Sequence, residues 1–150
     1  MSVSTKAGTL VLLYAQPLVR IAALKTTAID ATDDEVRITL GADAAPVPVP
    51  FAEMLTDHLH NRTNLRTGAA MASNPWLFPG RNAGKHLDPQ TIQMRLHNRG
   101  ISVLGARKSA LQNLVAEIPP PVVANLLGYS HTCTQYHAQL AAQTWARYVP

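Results

Sequence analysis

Apolar and polar positions along the chain fall into blocks of different period. Residues 8–15, GTLVLLYA, are an apolar run that fits either a buried helix or a buried strand, because periodicity alone does not separate the two. Gln16-Pro17 interrupts it. Proline suits the first turn of a helix, so Pro17 opens a helix over 17–25 with Leu18, Ile21, Ala22 and Leu24 on its apolar face. Residues 26–34 read as a polar connector with Ala28 and Ile29 tucked inside it. From Glu35 to Leu40 polar and β-branched residues alternate, which predicts a strand. Pro46, Pro48 and Pro50 then stand at alternate positions. Proline has no amide hydrogen for a sheet ladder, so 46–50 is expected as an edge strand or extended segment.

A helix over about 51–62 follows, with Phe51, Met54, Leu55 and Leu59 on one face. Residues 63–74 are small, polar and basic and read as a surface loop. Trp76-Leu-Phe is apolar and turns at Pro79-Gly80. Asp88 and Pro89 form a helix start, the aspartate as N-cap and the proline as first helical residue. That helix carries Ile92 and Leu96 inward, sets Arg95 and Arg99 one turn apart on its outer face, and ends at Gly100. Residues 100–148 predict a short strand, a helix, a proline-bounded second helix ending in Leu-Gly, a polar turn and a final helix. The fold class is therefore α+β, mostly α-helical, with one small antiparallel β-hairpin.

Composition narrows the function classes. A chain of 150 residues is long enough for one domain with a proper core. With 47% hydrophobic and 15% charged residues it is not a disordered segment. No apolar run approaches the ~20 residues of a membrane-spanning helix, and no secretory leader opens the chain, so a cytoplasmic protein away from membranes is expected. Cys133 is the only cysteine, which excludes an internal disulfide and a cysteine zinc site. Neither His58 with His60 nor His131 with His137 has the spacing of a helical metal site, so no metal and no cofactor are expected.

Charge is unevenly spread. Residues 1–57 carry a net −3 and residues 109–150 cancel. Residues 58–108 hold Arg62, Arg66, Arg81, Lys85, Arg95, Arg99, Arg107 and Lys108 against Asp88 alone, a net +7. Cations concentrated in one third of a small domain suit a phosphate-backbone partner, and duplex DNA is the partner expected.

The order of motifs adds a resemblance. Leu12-Leu-Tyr-Ala15 before a helix, the hairpin ending at Pro50-Phe51, Trp76-Leu-Phe-Pro with a later proline-led helix ending Gly100-Ile101, and Leu126-Leu-Gly-Tyr-Ser130 together resemble the catalytic domain of tyrosine recombinases, the phage-integrase and Xer-type enzymes. The resemblance implies DNA integration or recombination. It implies a tyrosine that attacks a DNA phosphodiester, two arginines holding the non-bridging oxygens, a lysine acid and assisting histidines.

Carried over by position, Arg107 matches the arginine of the family's H-x-x-R box, Lys108 the residue after it, and Leu104 stands where its histidine belongs. Tyr129 replaces the histidine of L-G-H-S. Arg20 is the candidate first arginine, and the hairpin lysine has no counterpart. Tyr136 is the nucleophile candidate and Tyr148 lies far later; both are aromatic residues on a helix, which more often supply core area. With Leu104 and Tyr129 in place of histidines, the resemblance implies a DNA-binding domain with a degenerate active site. The alternatives are a strand-exchange enzyme using Tyr136, or a protein-interaction remnant whose C-terminal helix docks on a neighbour in a homo-oligomer. The resemblance begins almost at the family's catalytic domain, so the chain is expected to be a C-terminal part of a longer protein.

Overall fold

The computed structural model of the chain describes residues 3–62, 74–82 and 84–146, the last three as backbone. In order they form α1 (Val3–Tyr14), α2 (Leu18–Ala22), β1 (Ile29–Ala31), β2 (Val36–Ile38), β3 (Ala45–Pro46), α3 (Val49–His60), α4 (Pro89–Asn98), α5 (Val103–Glu117), α6 (Pro120–Leu127) and α7 (His131–Ala146). The mostly helical α+β class expected from the sequence is the one observed.

The ambiguous apolar run is the second half of α1. That helix packs against α2, α3, α4 and α5, so Ala7, Leu10, Val11 and Tyr14 are all buried and only Leu12 stays well exposed. A helix covered on most sides carries no polar stripe, which is why its sequence reads as a continuous run. The Tyr14 hydroxyl donates to the Pro46 carbonyl at 2.8 Å, tying α1 to the sheet. Burial pushes that phenol up to about 12.

Four expectations are corrected. The helix predicted over 17–25 ends at Ala22. Beyond it the backbone is drawn to the 75–77 segment, through Leu77 N–H to Leu24 O and Thr26 N–H to Pro75 O, both 2.8 Å. The connector 26–34 holds a 3-10 turn and a further strand, β1, whose Ile29 pairs with Ile38 across an antiparallel ladder. The sheet therefore has three strands in the order β1-β2-β3, with Pro46 on the edge strand. The alternating prolines divide between two elements: Pro46 ends the sheet, while Pro48 is the N-cap of α3 and Pro50 lies in its first turn. Finally, residues 101–102 form no strand. The N–H of Ile101 bonds Leu96 O at 3.0 Å and that of Gly100 bonds His97 O at 2.9 Å, with Gly100 at φ +79°, a left-handed helix end that leads directly into α5.

Asp88 caps α4 as expected, its carboxylate accepting the Gln90 N–H at 2.9 Å. The predicted loop 63–74 lies, except for Asn74, outside the described residues. The buried apolar side chains form one continuous cluster from Ala7 to Leu127 that draws on the helices and the sheet alike. No helix among the described residues is long and apolar enough to cross a membrane.

Among the buried polar residues, one titrates near neutral pH. His58 on α3 is 1% exposed. Its Nε2 lies 2.6 Å from Leu77 O and its Nδ1 lies 3.1 Å from Lys6 Nζ on α1. A carbonyl only accepts, so Nε2 carries the hydrogen and Nδ1 accepts from the lysine, which requires a neutral ring. Burial, and then the cations Lys6 and Arg62, hold the His58 pKa below its ordinary 6.5, against the Leu77 hydrogen bond that favours the charged form. Unfolding returns the ring to its ordinary value. Its contribution to stability is therefore complete above pH 6.5 and is lost as pH falls through the lower folded value. Thermal melts should show the loss on going below about pH 6. His58→Gln keeps a donor and an acceptor without a titrating group, and its melts should lose less over the same range.

Candidate nucleic-acid interface

Three distant segments meet at the end of α6. Gly128 closes that helix in the left-handed conformation, φ +74°. The carbonyl of Leu127 accepts from Gln16 Nε2 at 3.0 Å and from Arg20 Nη1 at 3.2 Å, and Arg20 Nη1 reaches the Gly128 carbonyl at 3.3 Å. A guanidinium at a helix C-terminus satisfies orphan carbonyls and complements the negative end of the helix dipole. The loop after β2 adds Asp43 N–H to Asn125 O at 3.2 Å. Gly41 is needed there, because a Cβ would stand 2.3 Å from Asn125 O.

The Tyr129 hydroxyl donates to the carbonyl of Ala15. Ala15 itself is held at φ 54°, a region that residues other than glycine seldom enter. Burial raises the Tyr129 pKa, while the cations of Arg107 and Arg20 pull it the other way. Arg20 from α2, Arg107 from α5 and Tyr129 after α6 thus form one constellation. Lys108 faces α7, where burial and then the lysine's charge lower the pKa of His137. Arg107 and Lys108 have no carboxylate in ion-pair range among the described residues.

Of the remaining sequence candidates, Tyr136 is 59% exposed with its ring edge-on to His137 at 5.5 Å, so it is not the packing residue expected. Leu104, at the histidine position, is 56% exposed at the start of α5. Tyr148 and Arg66 lie outside the described residues, as does the side chain of Trp145.

The basic candidates divide. Arg62 is corrected: it is 9% exposed and its Nη1 holds the carbonyls of Asn74 and Trp76, both at 2.7 Å, bracing the segment after α3 from inside. Arg99 donates to Thr5 Oγ1 at 3.0 Å. Arg81, Lys85 and Arg95 are exposed and line one cleft of about 490 Å³ between the 80–86 loop and α4, with Thr91, His86 and Asp88. The loop is fixed at its base by Gly80 N–H to Lys85 O and Leu87 N–H to Phe78 O, both 2.8 Å. The Trp76 indole N–H braces it further by bonding Gly84 O at 3.0 Å.

No protein-family model and no curated protein matches the sequence. Among solved structures, the chain is similar to the crystal structure of XerA recombinase, with a TM-score of 0.64 and 13% identity. The match covers 100% of this chain and 65% of that one. The fold is tyrosine-recombinase-like. At that identity the likeness concerns architecture, and the sequence-level resemblance and the structural one point to the same scaffold.

Sequence reasoning missed Gln16, Ala15 and Gly41. Each acts through a partner far along the chain, and nothing in its own neighbourhood marks it. Gly128, by contrast, stands one residue past a helix and reads as a cap from sequence alone.

Two substitutions test this junction. Tyr129→Phe removes a half-buried hydrogen bond and should lower the unfolding free energy by about 1 kcal/mol. Gly128→Ala puts a Cβ 2.5 Å from Arg20 Nη1 and 2.8 Å from Leu40 O, in a left-handed conformation as well. Its loss should be larger, about 2 kcal/mol or more. Urea denaturation at neutral pH measures both.

Proposed function

We propose that this chain is a duplex-DNA-binding domain on a recombinase-like scaffold whose strand-cleaving chemistry has been lost. The observation that carries the reading is the different fate of its polar groups. At positions where the family resemblance implies phosphate ligands, Tyr129 donates its hydroxyl to the Ala15 carbonyl, and the exposed Arg20 gives Nη1 to the carbonyls of Leu127 and Gly128. Leu104, at the position of a proton-transferring histidine, has no hydrogen-bonding group. Arg81, Lys85, Arg95, Arg107 and Lys108 remain without a carboxylate in ion-pair range among the described residues. Cations free of internal partners are what a phosphate backbone requires. The likeness to a protein described as a recombinase supports the DNA partner. A single domain, and its place as part of a longer protein, belong to the same proposal.

Anisotropy of a labelled generic duplex should report binding at low salt, with a log–log salt slope of about −3 to −4 for about four neutralised phosphates. Arg81→Ala or Arg95→Ala should each reduce the steepness of that slope by about one. A folded sample that fails to bind at low salt, or binds with no salt dependence, overturns the DNA reading.

The exposed hydroxyl of Tyr136 favours a second reading, residual covalent chemistry. A nicked duplex tests it in the same samples. The degenerate-site reading expects no protein–DNA adduct and equal affinity for Tyr136→Phe. An adduct present in wild type and absent in that variant makes the protein an enzyme.

A further inference from the structure

The acidic part of the chain has a shape as well as a charge. Between β1 and β2 the backbone turns through Thr32-Asp33-Asp34-Glu35, and Thr32 closes the turn on itself. Its N–H and its hydroxyl both donate to Glu35 O at 2.9 Å, and Oγ1 accepts the Glu35 N–H at 3.2 Å. Asp33, Asp34 and Glu35 are exposed on this turn. Glu35 pairs with Arg37 at 3.5 Å, whereas Asp33 and Asp34 have no ion pair among the described residues. Glu53 and Asp57 of α3 stand beside the turn along the same groove, and no cation lines that groove. The result is a braced, exposed turn whose Asp33 and Asp34 have no ion pair among the described residues.

The cleft of Arg81, Lys85 and Arg95 is its counterpart. It is concave, and its three cations have no carboxylate in ion-pair range; Asp88 at its edge is already bonded to the Gln90 N–H. The backbone of each surface is braced, one by Thr32 and the other by the hydrogen bonds at the base of the cleft, so the ordering cost of their meeting falls on the side chains.

We propose that the Asp33-Asp34-Glu35 turn of one copy seats in the Arg81/Lys85/Arg95 cleft of a second copy. The contact joins two different patches and is therefore head-to-tail. It uses carboxylates where a duplex would offer phosphates, so self-association and DNA compete for one cleft and the free protein keeps that cleft covered. The self-association goes beyond the DNA reading and does not require it.

Sedimentation velocity of the protein alone tests it. The weight-average mass should rise with concentration at about 50 mM salt and return to that of a monomer at about 500 mM, where screening is nearly complete. The variant Asp33→Lys with Asp34→Lys should associate at least about tenfold more weakly, and so should Arg81→Glu with Lys85→Glu. All four positions are exposed, so circular dichroism should show both variants folded. An equimolar mixture of the two variants holds two complementary pairs, the native acidic turn with the native cationic cleft and a basic turn with an acidic cleft, and should associate where neither variant does alone. A monomer at every concentration in low salt overturns the proposal. So does association that survives both charge reversals, or a mixture that stays monomeric. Because no DNA is present, failure here leaves the duplex-binding result standing, and failure to bind duplex leaves this one standing.

Discussion

The carbonyl of Leu127 is the point on which this structure turns. A helix leaves its last carbonyls without partners, and α6 ends at Leu127, which is buried, so its carbonyl draws on protein donors. The protein supplies them from the far end of the chain. Gln16 and Arg20 both reach the Leu127 carbonyl, and Asp43 adds the Asn125 carbonyl from the loop after β2. Leaving such a group unpaired costs about 1–3 kcal/mol, a large fraction of a small domain's stability. Two segments near the start of the chain are thereby held to a third more than eighty residues further on. The left-handed Ala15 follows from this arrangement: its carbonyl must meet the Tyr129 hydroxyl while Gln16 turns towards α6.

The same junction limits what the constellation can do chemically. A transition state is stabilised by donors that are aimed at developing charge and need no reorganisation. To hold a phosphate oxygen, Tyr129 would have to abandon Ala15. Arg20 is exposed and meets the two helix-end carbonyls through Nη1 alone, so its other N–H donors stay open to an outside acceptor. Arg107 is half-buried beside Tyr129 and has no carboxylate in ion-pair range among the described residues. Arg81, Lys85 and Arg95 lie apart from the constellation, on the 80–86 loop and α4, where they are exposed, as is Lys108 on α5. Structural demand engages the Tyr129 hydroxyl and one nitrogen of Arg20 and leaves these cations available.

Much of the fold was legible in the sequence, and the exceptions share a cause. The Asp88–Pro89 start of α4, its glycine end, the Glu35–Leu40 alternation and the Gly128 cap are set by groups within a few residues, so local chemistry declared them. The β1 strand was hidden because Ile29 is its only buried residue, too short a pattern to show a period of two. The helix at 17–25 stops early because the backbone of 24–26 bonds to a segment fifty residues on, which no local window contains. Arg62 reads as one more cation in a basic stretch. Only the tertiary structure turns it inward to hold Asn74 and Trp76, since a buried guanidinium needs carbonyl partners that the sequence does not announce.

Charge segregation is the other constraint, and it acts at longer range than packing. The two signs are carried by different elements: carboxylates on the β1–β2 turn and α3, cations on the 80–86 loop and α4. Within each surface like charges repel and bring no stability, so neither cluster is explained by folding. A cluster that folding does not require is one that an external partner of opposite sign can use. For the cationic cleft the partner we propose is a polyanion. For the turn it is a cationic surface, and the cleft on a second copy of the chain is the one proposed.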